Sequence, residues 1–131
     1  MIVLDTHAWL WWLSNPELLA PEARRATERA AASKSLWVST ISAWEIAMLV
    51  ARGRLELSMP VRRWVALCEA LPFLRFLPPD NTVLLQATLL DESFPKDPAD
   101  RIIAATALRL ECPLVTKDRK LRRQPTLTTI W

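Results

Sequence analysis

Leu36-Trp37-Val38-Ser39-Thr40-Ile41-Ser42-Ala43-Trp44-Glu45-Ile46-Ala47-Met48-Leu49-Val50 is the stretch that decides the fold. Leu36 to Ser39 is a short run that suits a strand, and from Thr40 or Ser42 onward Ile46, Leu49 and Val50 recur at helical spacing, ending near Gly53. On the N-terminal side, Met1 to Leu4 is a second buried-strand candidate, followed by a Trp-rich helical segment from His7 to Leu13. Asn15-Pro16 reads as an N-cap and first residue of a helix reaching Ala32. On the C-terminal side, Ser58-Met59-Pro60 opens a helix carrying Val61, Trp64, Val65, Cys68 and Leu71 on one face. Phe73 to Leu77 is a strand, Pro79 to Glu92 a helix, and Asp97-Pro98 starts another helix that runs on to Leu110. Leu114-Val115-Thr116 is a short strand, and Leu127 to Ile130 the last. Strands alternating with helices require βαβ crossovers. The expected fold is therefore α/β, a mostly parallel central sheet of four to five short strands with helices on both faces.

Composition narrows the function. At 131 residues the chain fits one domain, residues 1–131, and half of it is apolar, as a globular core requires. Gly53 is the only glycine, which excludes Gly-rich dinucleotide turns and phosphate loops. Cys68 and Cys112 stand apart, and His7 is the sole imidazole, so zinc sites and disulfide scaffolds are excluded too. His7 reads as a packing residue in preference to a catalytic one. Apolar runs such as Ile46 to Ala51 fall short of the ~20 residues that span a bilayer, and Met1-Ile2-Val3-Leu4-Asp5 lacks a basic leader. The expected location is the cytoplasm, without membrane attachment.

Charge is unevenly distributed. Of 17 basic and 14 acidic residues, the window 117–123 holds Lys117, Arg119, Lys120, Arg122 and Arg123 against Asp118. The rest of the chain is acidic by one, so the whole net charge of +3 arises in this window. It is a candidate phosphate-contacting edge, and the plainer alternative is a solvated Arg-rich loop.

Acids that interrupt apolar pattern are more informative than acids on a polar face. Asp5 closes the first strand, and Asp118 follows the strand Leu114 to Thr116. In parallel sheets functional groups gather past the C-terminal strand ends. Glu45 has Ile41, Ser42, Met48 and Leu49 at spacings of three and four, which places a carboxylate on a mostly apolar helix stripe. Asp97 and Asp100, three apart, share a helix face. Each has a local alternative: Asp5 as a cap, Asp118 in an Asx turn, Asp97 as N-cap with Asp100 favoured by the helix dipole, Glu45 paired to Arg52 or Arg54. If they converge, carboxylates ~6 Å apart repel by about 3 kcal/mol per pair at an effective dielectric near 20. A cation or protonation relieves that. Oxygen-only ligands suit Mg²⁺ or Mn²⁺, and phosphodiester hydrolysis is the reaction such a centre serves best.

Four segments together resemble the PIN-domain family, and within it the VapC-type toxins: Leu4-Asp5-Thr6-His7, Ser42-Ala43-Trp44-Glu45-Ile46, Asp97-Pro98-Ala99-Asp100-Arg101 continuing through Ile102 to Ala107, and Leu114-Val115-Thr116-Lys117-Asp118. The resemblance implies a PIN-like fold and an acidic quartet, Asp5, Glu45, Asp100 and Asp118, acting as metal-holding catalytic residues, with Asp5 and Asp100 foremost. It implies support from Thr6, Thr116 and Asp97, with Thr116 and Thr6 orienting ligands or water. It further implies a metal-dependent endoribonuclease, the toxin of a type II toxin–antitoxin pair, forming a homodimer and inhibited by a cognate antitoxin whose tail enters the acidic cleft. RNA would lie along Lys117, Arg119, Lys120, Arg122 and Arg123.

Two other functions compete. A phosphoacceptor receiver domain also joins acids and Mg²⁺ on a small parallel fold, but it needs its acceptor Asp on a central strand, whereas the middle acid here, Glu45, lies in a helix. A catalytically silent RNA- or partner-binding module predicts a broken acid set, and none of the four is missing.

Overall fold

The computed structural model describes residues 1–131 and contains a five-stranded, wholly parallel sheet in the order β3-β2-β1-β4-β5. The strands are β1 (Ile2–Leu4), β2 (Leu36–Ser39), β3 (Leu74–Leu77), β4 (Leu114–Val115) and β5 (Thr129–Ile130). The helices are α1 (Thr6–Ser14), α2 (Pro21–Ala32), α3 (Thr40–Ala51), α4 (Val61–Glu69), α5 (Asn81–Leu89), α6 (Pro98–Arg109) and the single turn α7 (Arg119–Arg122). From β1 the chain builds outward through β2 to β3, then returns to β1's other edge for β4 and β5. The strand order therefore reverses between β1 and β4. A crevice opens at the C-terminal ends of strands on either side of such a reversal.

Alternation along the strands divides the core in two. Ile2 and Leu4 of β1, Leu36 and Val38 of β2 and Val115 of β4 meet Trp9, Ala23, Ala26, Ile46 and Trp64 on one face. Val3 and Leu114 point the other way, onto Ile103, Ala104 and Ala107 of α6 and Leu121 of α7. Both faces of β1 are thus buried, which accounts for its unbroken apolar run. Trp9 is the largest fully buried side chain, its indole 4.7 Å from that of Trp64 and 5.4 Å from the Phe76 ring. Trp9→Ala is expected to cost about 3–5 kcal/mol, read as a lower denaturant midpoint with an unchanged slope.

Three boundaries differ from the sequence reading. The helix expected from Pro16 to Ala32 is interrupted: Pro16–Leu18 forms one 3-10 turn, Asn15 makes no side-chain cap, and α2 starts only at Pro21. Pro21 disfavours helical geometry at Ala20, which is extended at ψ 150, and Leu19 is drawn into the core. The helix expected from Pro79 to Glu92 is shorter, because Asp80 caps it through the Val83 N–H at 3.0 Å and Leu90 leaves in an extended conformation. The last strand is only Thr129–Ile130, set by its pairing with Leu114 and Val115.

Candidate active site

Asp5 follows β1 and Asp118 follows β4, on the two sides of the reversal. Each caps the helix it introduces: Asp5 Oδ1 accepts from the Ala8 N–H at 2.8 Å, and Asp118 Oδ1 from the Leu121 N–H at 2.9 Å. Asp97 does the same for α6, its Oδ1 accepting from the N–H groups of Ala99 and Asp100 at 2.8 and 3.2 Å. The local role and the functional one are therefore not alternatives. A cap fixes one carboxylate oxygen and, through the short arm of Asp, aims the other.

Those acids converge with Glu45 and Asp100 on one cavity of about 450 Å³, lined by Asp5, Glu45, Asp97, Asp100 and Asp118 together with His7, Trp11 and Lys117. The tightest group is Glu45, Asp97 and Asp100, one carboxylate oxygen from each lying within 4.8 Å of the others. Asp97, expected only in support, belongs to this innermost triplet. The reason is its N-cap position, which puts it on the same face as Asp100 one turn along.

No ion pair neutralises this charge: Lys117 lines the cavity but bridges none of its acids. The only ion pair is Arg24–Glu28 on the surface of α2, and the carboxylates of Glu45 and Asp100 accept no hydrogen bond. Arg52 and Arg54 leave Glu45 unpaired. Burial, followed by repulsion from Asp97, Glu45, Asp118 and Asp5, raises the Asp100 carboxyl to about 7. Asp5 is raised as well, chiefly by burial, against the opposing hydrogen bonds from Thr116 and the Ala8 amide. At 4.8 Å each ionised pair repels by about 3 kcal/mol at an effective dielectric near 20. A hard divalent cation fits this donor set, since the tight triplet offers only carboxylate oxygens, no thiolate lines the cavity, and the one imidazole there, His7, stands on the wall beside Trp11.

The two expected hydroxyl residues are buried and act through other groups. Thr116 accepts from the Asp118 N–H at 3.1 Å, and its hydroxyl stands beside Asp5, where it favours the charged carboxylate, so it lies between the two strand-end acids. Thr6 donates to the Ser42 hydroxyl at 3.0 Å, fastening the start of α1 to α3 one turn before Glu45. In the sequence Ser42 stands out only as part of a motif, since a serine on an apolar stripe gives no sign of its partner. Arg101 gives no sign either, yet its guanidinium donates to the carbonyl oxygens of Ala87 at 3.0 Å, Pro95 at 3.3 Å and Leu90 at 2.5 Å, which staples the connection that delivers Asp97.

The basic window divides. Lys117 lines the acidic cavity, whereas Arg119, Arg122 and Arg123 line a second cleft and Lys120 lines neither. His7 is exposed, not packed inside: it lies 5.5 Å from the ring of Trp11 on the cavity wall, a contact foreshadowed by their spacing of four in α1.

Residues 2–127 match the family model described as the PIN domain. The chain belongs to the PIN-domain family. It is 40% identical to Ribonuclease VapC22 of Mycobacterium tuberculosis over 99% of its own length and 98% of that relative. As a PIN domain its fold also matches chains of two solved structures. One is VapBC2 from Rickettsia felis bound to a promoter DNA fragment, with TM-score 0.71, 17% identity and coverage of 98% of this chain and 97% of that one. The other is DNA-bound VapBC from Salmonella typhimurium, with TM-score 0.65, 23% identity and coverage of 98% and 95%. The receiver-domain alternative falls with this assignment.

Proposed function

We propose that this PIN domain, residues 1–131 acting as one unit, is a metal-dependent endoribonuclease and the toxin of a type II toxin–antitoxin pair. The observation that carries the chemistry is the triplet Glu45, Asp97 and Asp100, unpaired and within 4.8 Å, in a cavity completed by Asp5 and Asp118. The biological role rests on the likeness to a ribonuclease over nearly the whole chain.

Asp5, Glu45, Asp100 and Asp118 would hold Mg²⁺ or Mn²⁺, with Asp97 beside them. When bound, such a cation offsets carboxylate repulsion, draws in the phosphodiester and makes water a better nucleophile at neutral pH. The chain supplies the geometry. The Ala8 N–H keeps one oxygen of Asp5 engaged and so fixes the rotamer that faces the cavity, with the Thr116 hydroxyl beside it, and the Thr6–Ser42 bond fastens the helix that carries Glu45. Lys117, whose Nζ lies 5.7 Å from the centroid of the Trp11 ring and pairs with no acid, is the cation available to a phosphate oxygen.

The partners follow from the same surfaces. An acidic cavity whose five carboxylates face a single lysine and form no ion pair suits a basic segment of a cognate antitoxin. Leu85 and Leu89 of α5, 66% and 84% exposed, with Trp44 of α3, offer apolar surface to a homodimer. No helix is long and apolar enough to cross a membrane. As a toxin whose target is RNA, the protein acts in the cytoplasm. The test is cleavage of an end-labelled RNA by protein stripped with EDTA. Cutting is expected to return with Mg²⁺ or Mn²⁺ and to stop again on chelation. Cutting that persists in EDTA, or an RNA left intact with both ions, refutes the proposal. A catalytically silent binding module would give the second of these results.

A further inference from the structure

We propose that an RNA strand held at the acidic cavity leaves it across Trp11 and Trp131 and seats its next phosphates in the arginine cleft beside α7, a second subsite. The inference rests on the ribonuclease reading and adds to it a second phosphate subsite with the path that leads to it.

The cleft has a volume of about 420 Å³ and is lined by Arg119, Arg122, Arg123 and Trp131, with Glu22 as its only acid. None of the three arginines is in an ion pair, so three free guanidinium groups face a single acidic side chain across the cleft. Free guanidinium groups present planar forks of donors that match phosphate oxygens. Aromatic rings join this cleft to the acidic cavity. His7 and Trp11 belong to the cavity wall and are 5.5 Å apart. Trp11 is 6.0 Å from Trp131, which belongs to the cleft wall. Both indoles are half-buried, hence fixed in place while leaving ring surface accessible. Lys117 lies over Trp11 at the junction and extends the positive charge back toward the acids.

Phosphate-binding arginines interleaved with surface indoles form the pattern that holds single-stranded nucleic acid, in which bases stack on rings while the backbone follows positive charge. A duplex keeps its bases stacked on one another and offers these rings nothing. An acidic peptide would satisfy the arginines but would leave the Trp11–Trp131 step without a role, so the rings favour RNA.

The proposal is tested by fluorescence anisotropy of the full chain with a labelled RNA of about 12 nucleotides, within the range of single-strand sites, in EDTA so that binding is read without cutting. Arg122→Gln with Arg123→Gln is expected to weaken binding at least tenfold and to flatten its salt dependence by roughly 0.7 for each phosphate no longer neutralised. Trp131→Leu is expected to weaken it about tenfold, as loss of one stacked base does, without changing the salt slope. Duplex RNA should bind more weakly than the single strand. Wild-type affinity in the double glutamine variant, equal binding of duplex, or displacement of the RNA by an acidic peptide that binds more tightly would overturn the proposal. Because the two surface glutamines leave the packed core untouched, their result stands even if Trp131→Leu lowers stability. Absence of cutting with Mg²⁺, alongside the expected anisotropy changes, would count against the ribonuclease reading alone.

Discussion

Asp100→Asn is expected to abolish metal-dependent RNA cleavage and, at the same time, to make the metal-free protein more stable at neutral pH. The loss should exceed the ~100-fold that removing an outer partner of a metal ligand costs, since Asp100 sits inside the tightest group of oxygens. The gain in stability comes from the same position. Asp100 has four carboxylates around it, no hydrogen bond and no counter-charge, and its substitution by an isosteric amide removes that repulsion. A variant that is inactive but less stable than wild type would contradict the electrostatic account of this position. A variant that cuts RNA normally would remove Asp100 from the chemistry.

The pH dependence separates these effects. In the unfolded chain Asp100 titrates near 3.9, and in the folded, metal-free protein it is raised to about 7. Between those values the folded state holds a proton that the unfolded state has released, so wild-type stability falls as pH rises from about 4 to about 7. Asp5, raised in the same direction, adds to the fall. The Asn variant lacks the Asp100 contribution. The two proteins should therefore have nearly equal urea midpoints below about pH 4 and diverge toward pH 7. The rise at Asp100 corresponds to about 4 kcal/mol, which partial hydration of the cavity reduces to roughly 2 kcal/mol. Adding Mg²⁺ or Mn²⁺ at pH 7 should reverse the order, because a cation that binds only the folded state stabilises wild type and has lost a ligand in the variant. Parallel pH curves in EDTA, or equal stabilisation of both proteins by the ion, would contradict this account.

The candidate site is legible in the sequence in proportion to how far each residue violates its local pattern. Asp5 and Asp118 stand where apolar strands end, and the parallel-sheet rule locates them without coordinates. Glu45 interrupts an apolar stripe, and the structure leaves it without the arginine partner that would have explained it locally. Asp97 is harder to read because an Asp before a Pro at a helix start is already accounted for as a cap; nothing in sequence says that a cap can also face a cavity. The basic window resembles one edge when charge is counted along the chain, whereas Asp118 caps a single helical turn between Lys117 and the arginines and sends them to different clefts. Fold class and strand sequence follow from the alternation of apolar runs with helical periodicity. The departures fall at Ala20 and Leu90, where a following proline and a distant arginine decide the backbone, and at the last strand, whose length is set by its two-residue partner.

That distant arginine carries the second large effect. Arg101→Met is expected to lower stability by about 3 kcal/mol and to reduce RNA cleavage while every carboxylate is retained. Arg101 is anchored on α6, one residue after Asp100, and its guanidinium reaches back to the carbonyl oxygens of Ala87, Leu90 and Pro95. Ala87 and Pro95 are buried, so water cannot fully replace the lost donor, and charged hydrogen bonds of this kind contribute about 1.5–3 kcal/mol each before compensation. Met keeps much of the aliphatic volume and so isolates the loss of donors from the loss of packing. The functional consequence follows from connectivity. Residues 90–97 link α5 to Asp97, and without the staple the Asp97 carboxylate no longer has a fixed place relative to Glu45 and Asp100, which remain on helices. Metal affinity should fall, so cleavage should recover in part as Mg²⁺ or Mn²⁺ is raised, whereas Asp100→Asn should not recover at any concentration. Arg101→Lys should restore little, because an ammonium cannot span three carbonyls with the reach of a planar fork. If Arg101→Met binds the ion and cuts as wild type does, the connection between α5 and α6 is held by its apolar contacts alone, and Phe94, buried beside α6, becomes the residue that positions Asp97.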